Sequence, residues 1–163
     1  MIILEIVMYD YKATVVNIVD ADTIDVDIDL GFGILLKNQR IRISGIDAPE
    51  MRTLDRVEKL FGNLATQRAK EFLETKNVIL QCETDSDGKI SSGKFGRILG
   101  DVYIDEKSLA QTLLDEGHAV KYDIDEKETE TQTQINRERL LLEGKVTQEE
   151  IDEAEEETKK LIR

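Results

Sequence analysis

Apolar and polar residues alternate along the first third of the chain, and this alternation predicts strands. From Thr23 onward the two classes occupy opposite faces, with Ile24, Val26 and Ile28 on one face and Asp25, Asp27 and Asp29 on the other. Strict alternation is typical of an antiparallel strand with one buried and one solvated face. Residues 30–33 contain two glycines and predict a turn, and residues 34–46 predict a further strand. Together with the apolar residues 1–10, the pattern predicts strands in hairpin succession.

The pattern changes after Pro49, the only proline. Residues 49–59 are charged and without clear period, which predicts a loop of functional length. Apolar residues recur at helical spacing from Asn63, a strand resumes over residues 78–82, and residues 94–104 predict a strand pair. Ser108 is placed to cap a helix that runs to about Glu116. The order β-β-β-α-β-β-α predicts an α+β fold, mainly β, in which helices pack on a small barrel.

The last forty residues predict helices. One helix is expected over residues 128–143, ending at Gly144, and Thr147 with Glu150 has the form of a capping box that opens another. The chain is therefore expected to divide into a barrel domain over residues 1–123 and an acidic helical extension over residues 124–163. The extension is interpreted as a helical hairpin that packs on the domain or mediates self-association, and the alternative is that it binds a protein partner.

The charge of the chain argues against nucleic-acid binding when it is taken alone. The formal net charge is −13, whereas proteins that hold nucleic acid by charge are usually basic. Residues 123–163 carry 14 acidic and 7 basic groups, so about half of the excess lies in the extension. A local basic patch or a bound dication would still attract phosphate groups.

The N-terminal residues and the single cysteine bear on the location and the class of the protein. Residues 1–10 lack the basic stretch and the cleavage site of an export signal. No stretch of the sequence is long and apolar enough to span a bilayer. A cytoplasmic location without membrane partners is therefore expected. Cys82 allows no internal disulfide and is interpreted as a half-buried small hydrophobe. His118, the only histidine, is predicted at the surface. Residues 85–88 predict a turn, because an EF-hand would need Gly and Glu where Ile90 and Gly96 stand.

Three polar clusters could carry chemistry. The first places Asp20 and Asp22 two residues apart, which suits a hard cation but, on charge alone, is more typical of a solvated strand. The second runs from Arg42 through Asp47-Ala48-Pro49-Glu50. The third is Lys94-Phe95-Gly96-Arg97, in which a glycine admits a ligand beside a guanidinium that can bind phosphate oxygens. Each cluster alone is weak support for a function.

Together, and in this order, the clusters resemble the staphylococcal nuclease family. The pieces are V-D-A-D-T, R-x-x-x-x-D-x-P-E, K-F-G-R and S-L-A-Q-T-L-L-D-E-G, spread from about Tyr11 to Tyr122. The resemblance implies a five-stranded Greek-key OB barrel and a calcium-dependent endonuclease of DNA, RNA or both that leaves 3′-phosphate ends.

The resemblance also implies roles for individual residues. Calcium would be held by the carboxylates of Asp22 and Asp47 and the carbonyl of Ala48, with Asp20 behind them. Glu50 would be a general base or position water, and Arg42 and Arg97 would bind the scissile phosphate. Further substrate contacts are expected from three residues, Lys94, Phe95 and Tyr122.

Departures from the family pattern bear on affinity more than on chemistry. Ala48 stands where Thr is common, Phe95 stands where a Tyr hydroxyl would reach a phosphate, and Tyr122 alone represents the stacking tyrosines. Some barrels of this family are non-catalytic binding modules that have lost metal and arginine groups, and that is the alternative. The presence of both arginines and of all three acidic residues, Asp22, Asp47 and Glu50, favours an enzyme.

Overall fold

The computed structural model describes residues 9–163. Most of the strand predicted over residues 1–10 therefore lies outside the described residues. Within these residues there are eight strands, of which β4, β7 and β8 have two residues each: β1 (Asp10–Asp20), β2 (Thr23–Asp29), β3 (Leu35–Ile43), β4 (Ile46–Asp47), β5 (Asn77–Cys82), β6 (Ile98–Ile104), β7 (Lys107–Ser108) and β8 (Val120–Lys121). The same part of the chain contains four α-helices: α1 (Arg56–Phe72), α2 (Leu109–Asp115), α3 (Glu126–Leu142) and α4 (Gln148–Ile162).

Five strands close into a mixed barrel. The sheet order is β3-β2-β1-β5-β6, all antiparallel, and β3 then pairs with β6 in parallel, with Ile41 opposite Ile98. The predicted alternation in β2 is correct on its apolar side, since Ile24, Val26 and Ile28 are all buried in the core. The predicted α+β barrel is confirmed.

One of the β2 side chains that were expected in solvent is buried. Asp25 is 6% exposed, because Arg40 on the neighbouring strand covers it with two hydrogen bonds of 2.8 and 3.0 Å. Burial of a carboxylate is costly unless it is paired, and Asn17 adds a third donor at 3.3 Å.

The loop predicted over residues 49–59 is wrong in its second half. Helix α1 begins at Arg56, where the side chain of Asp55 accepts hydrogen bonds from the amides of Val57 and Glu58. An aspartate in this position satisfies amides that otherwise have no partner. The apolar residues of this first turn pack on the C-terminal helices, so the loop spans only residues 48–54.

The strand pair predicted over residues 94–104 is also wrong in its first part. Lys94–Gly96 form a 3-10 turn, and only Ile98–Ile104 form a strand. Phe95 and Gly96 have φ angles of 62° and 71°, which turn the chain back toward the barrel. The cap of α2 at Ser108 and the capping box of Thr147 and Glu150 are confirmed, as is the turn at residues 85–88, where Gly88 donates to the Asp85 carbonyl.

The C-terminal helices pack on α1 rather than extending into solvent. Phe61 of α1, Leu140 of α3 and Val146 form a second apolar core. Asn136 of α3 also donates to the carbonyl of Ala119 at 3.0 Å. The boundary at residue 123 and self-association through these helices stay predictions.

Two predictions on single residues have opposite outcomes. Cys82 is buried, as expected for a small hydrophobe, and burial raises the pKa of its thiol to about 11. His118 is only 7% exposed, so its predicted surface position is wrong. Its backbone amide donates a hydrogen bond to the carbonyl of Leu113, in the turn that Gly117 forms after α2. This turn places His118 beneath α3. Across residues 9–163, none of the helices is long and apolar enough to cross a membrane.

Candidate active site

An open cleft of about 650 Å³ lies on one side of the barrel, beside the end of β1 and the start of β2 and β6. Three separate segments, the turn after β1, the β3 strand with the loop that follows, and the 3-10 turn, line this cleft. The predicted site residues that it brings together are Asp20, Asp22, Arg42, Asp47, Glu50, Phe95 and Arg97.

Asp22 ties two of these segments together. It is 8% exposed, and its Oδ2 accepts a hydrogen bond of 2.8 Å from the backbone amide of Ala48. Its Oδ1 accepts from the Thr23 hydroxyl at 3.0 Å, and its carbonyl accepts from the Ile43 amide. The β1–β2 turn thereby fixes the position of the loop that carries Asp47 and Ala48.

Arg42 lies between the two aspartates that were predicted as ligands of a cation. Its Nη2 is 3.1 Å from Asp47 Oδ1 and 3.4 Å from Asp22 Oδ2, and its Nη1 donates to the Ile43 carbonyl at 2.8 Å. The side chain is 14% exposed. A guanidinium held by several acceptors is preorganised for a phosphate at the cleft.

Arg97 reaches the same cleft from the opposite wall. Its Nε donates to the Lys94 carbonyl at 3.0 Å, which fixes the side chain against its own turn. Phe95, in the same turn, is 97% exposed. The turn thus presents one guanidinium and one free aromatic ring to the cleft.

The carboxylates of the cleft are crowded. Burial raises the pKa of Asp20, with the charge of Asp22 adding to the effect. Burial and then the charge of Asp22 raise the pKa of Asp47. Burial also raises the pKa of Glu50, and the charges of four surrounding acidic residues add to it. Such crowding is typical of a place where a cation belongs, because a cation would lower the repulsion.

The oxygen atoms of the cleft are suitable ligands for a hard cation. Asp20 Oδ1 is buried and has no hydrogen-bond partner, and within residues 9–163 no donor bonds to Asp47 Oδ2. In the same part of the chain, no three side chains of His, Cys, Asp or Glu are placed to share one ion. The oxygen ligands from Asp22, Asp47 and the Ala48 carbonyl would therefore be too few to fill the coordination shell of the ion. Ca²⁺ takes 6–8 oxygen ligands, so water and substrate would supply the others.

Three predicted residues lie at the edge of the cleft rather than in its lining. Ala48 is buried behind Asp22, Lys94 is exposed beside Phe95, and Tyr122 is 66% exposed beyond Arg42. The Tyr122 ring centroid is 5.8 Å from Arg42 Cζ, within the range of a cation–π contact. Tyr122 is therefore linked to the cleft through Arg42.

Sequence reasoning missed the charged pair of the cleft, Asp25 and Arg40. They are directly opposite each other in the β2–β3 pairing and line the cleft with Asn38. A regular register counted from the Asp29–Leu35 pair would place Gln39 opposite Asp25, and the irregularity in pairing between Val26 and Ile28 shifts this partner to Arg40.

Comparison with known proteins gives concordant matches. A family model described as "Staphylococcal nuclease homologue" matches residues 40–140. The chain is 35% identical over 83 residues to "Endonuclease YncB" of Bacillus subtilis (strain 168), a match that covers 51% of this chain and 37% of that protein. It is 37% identical over 79 residues to "SPbeta prophage-derived endonuclease YokF" of the same organism, covering 48% of this chain and 25% of that protein. The matched region is thus well under half the length of either relative.

Proposed function

This chain belongs to the staphylococcal nuclease family, and from that premise we propose that it is an endonuclease that hydrolyses phosphodiester bonds of DNA or RNA with calcium and leaves 3′-phosphate ends. The observation that carries the proposal is the meeting of Arg42, Arg97 and the acidic residues in one cleft. Both Bacillus relatives are named endonucleases.

Asp22, Asp47 and the Ala48 carbonyl would hold the calcium ion, which when bound supplies positive charge to an oxygen of the scissile phosphate. The hydrogen bond from the Ala48 amide to Asp22 keeps two of these groups in fixed relative positions. Asp20 contributes negative charge behind them.

Glu50 is proposed to accept a proton from the attacking water. Burial, the largest cause, raises its pKa in the absence of the cation and makes its carboxylate a stronger base than an ordinary glutamate. The water oxygen forms a bond to phosphorus while the bond from phosphorus to the 5′-oxygen breaks. The leaving 5′-oxygen takes up a proton from solvent, Glu50 returns its proton to solvent, and the phosphate remains on the 3′ side.

Arg42 and Arg97 are proposed to stabilise the five-coordinate phosphorus. Charge grows on its equatorial oxygens during attack, and guanidinium donors held in place stabilise that charge more than they stabilise the ground state. Phe95 and Tyr122 are exposed aromatic rings on either side that can stack on unpaired bases. Lys94 adds a positive charge at the edge of the cleft.

Cleavage of a fluorescent single-stranded DNA, with calcium, with magnesium and with EDTA, tests the proposal. We expect cleavage with calcium, none with EDTA, and a loss of about 10²-fold or more in rate in Glu50→Gln and Arg97→Ala. Arg163→Ala is the control, since Arg163 follows α4 and is exposed. A folded wild type that is silent under all three conditions would leave the non-catalytic binding module as the better description.

A further inference from the structure

A second, smaller pocket of about 120 Å³ lies between the barrel and α3. One wall is the loop at residues 47–49, another is the segment at residues 117–120, and α3 covers them with residues that include Thr133 and Arg137. The proposed chemistry does not use Thr133 or Arg137.

His118 is a buried polar group without a partner in this pocket. The side chain is 7% exposed, and its Nδ1 is buried without any hydrogen bond. A buried polar atom that lacks a hydrogen-bond partner is destabilising. Burial lowers the pKa of His118, so the ring is neutral near pH 7 and offers one N–H donor.

Arg137 is the charged group of the pocket. Its guanidinium carbon lies 5.1 Å from the Phe61 ring centroid, which holds the side chain in place. Its Nε is buried and unpartnered, and no oxygen in residues 9–163 accepts a hydrogen bond from it or pairs with it as an ion. Thr133 lies four residues earlier in α3 and therefore on the same helix face.

The two carboxylates that line the pocket make no ion pair with Arg137 within residues 9–163. Asp47 Oδ1 bonds to Arg42 in the cleft, and Glu58 Oε1 accepts from the Glu50 amide at 3.3 Å. Within the same residues, Arg137 Nε therefore has no internal acceptor.

We propose that this pocket binds a small oxyanion, with Arg137 as the charged donor and His118 and Thr133 as further hydrogen-bond donors. A cavity of about 120 Å³ has room for a phosphate or carboxylate group. The phosphate is either a free ion or one phosphate of a nucleic-acid strand that passes Asp47. The proposal does not depend on nuclease activity.

The only histidine of the chain gives a local readout. In EDTA, at pH 7.5 and fixed ionic strength, the imidazole C–H signals of His118 in the full, untagged chain are followed by proton NMR while inorganic phosphate is added. We expect a saturable shift in the wild type and at least tenfold weaker binding in Arg137→Gln. Lys127→Gln removes the same charge from an exposed position of α3, and Arg97→Gln removes a phosphate ligand of the cleft; both should bind as the wild type does.

The outcomes separate the alternatives. If phosphate leaves the signals unshifted while a short oligonucleotide shifts them through Arg137, a strand phosphate is the ligand. If neither shifts them, or if Arg137→Gln responds as the wild type does, the proposal is overturned. If Arg97→Gln alone abolishes the shift, the anion binds in the cleft and the proposal is likewise overturned. If the melting temperature shows that Arg137→Gln is unfolded, Thr133→Val replaces it as the test variant. This variant is expected to weaken phosphate binding several-fold.

Discussion

Two single residues hold the loop between β4 and α1 in place from opposite sides. Asp22 accepts the Ala48 amide from the barrel side. On the helix side Gly62 lies against the backbone, where an added Cβ would come 2.7 Å from the Pro49 carbonyl oxygen and 3.0 Å from atoms of Glu50. Since the contact atoms are backbone, they can yield only if the loop itself moves.

Gly62→Ala tests this contact. A glycine to alanine change within a helix usually stabilises it by about 1 kcal/mol, but here the clash should reverse the sign and lower the free energy of unfolding by about 1–3 kcal/mol. Cleavage should also slow, because Glu50 follows Pro49. Asn63→Ala, at the next and exposed position, should change stability by no more than about 0.5 kcal/mol. Equal denaturation midpoints for the two variants would contradict the expectation.

His118 should make stability depend on pH. Burial lowers its folded-state pKa, while the charge of Glu116 partly opposes the shift. The unfolded chain therefore binds the proton first, so the stabilisation is present above about pH 6.5 and is lost as pH falls below that value toward the folded pKa. Thermal melts between pH 7.5 and 5.5 should show a larger loss in the wild type than in His118→Gln.

The quantity to measure is the difference in the pH dependence of stability between the wild type and His118→Gln. Burial raises the pKa of Asp101, and a carboxyl of that kind contributes the opposite trend, because its folded state gains protons first as pH falls. Subtracting the variant removes such contributions. Parallel curves for the two proteins would show that His118 is not the titrating group.

The sequence predicted the cleft residues far better than it predicted their neighbours. Asp22, Arg42, Asp47, Glu50 and Arg97 belong to spaced motifs, and the fold brings them together. The burial of His118 has no local signal, because α3, which is distant in the chain, covers it. The pairing of Asp25 with Arg40 depends on strand register, which alternation alone does not fix.

At the scale of elements, α1 connects the barrel to the C-terminal helices. Its residues Ala65 and Ala69 are buried in the barrel core, while Phe61 packs on Leu140 and Val146. Its helical pattern was visible only from Asn63, because the first turns face a partner that belongs to the C-terminal helices. A helix with two buried faces does not show the single apolar stripe from which a helix start is recognised.

Leu140→Ala measures what this contact contributes. Leu140 is 2% exposed, and truncation of a buried leucine costs about 2–5 kcal/mol. Leu142→Ala is the matched control, because that side chain is on the same helix and 87% exposed. Urea unfolding should separate the two by at least about 2 kcal/mol. Coincident midpoints would mean that α3 does not contribute to the stability of the folded unit.

The whole molecule is acidic, yet the cleft contains arginines. The net charge of −13 repels a polyanion at long range, whereas Arg42 and Arg97 attract single phosphates at short range. Salt screens the first effect more than the second, because long-range interactions between exposed charges are the most strongly screened.

Salt dependence of substrate binding follows from this balance. With Lys94 and the two arginines as the phosphate contacts, the logarithm of affinity for single-stranded DNA should fall against the logarithm of salt with a slope no steeper than about −2. Replacing Glu126, Glu128 and Glu130 of α3 by glutamine should tighten binding at low salt and leave it unchanged at high salt. Fluorescence anisotropy with a labelled oligonucleotide measures both, and a slope of −5 or steeper would require a basic surface elsewhere.

The parallel pairing of Ile41 with Ile98 has a consequence for how the proposed activity would arise during synthesis. The walls of the cleft come from residues 19–25, 38–50 and 95–97, and the third wall takes its position only when β6 has docked on β3. Contacts between residues so far apart in sequence form late, since a long loop must be closed before they contribute. A nascent chain that ends before β6 therefore has both aspartates and Arg42 but no cleft, and catalytic competence should appear in one step as the barrel closes.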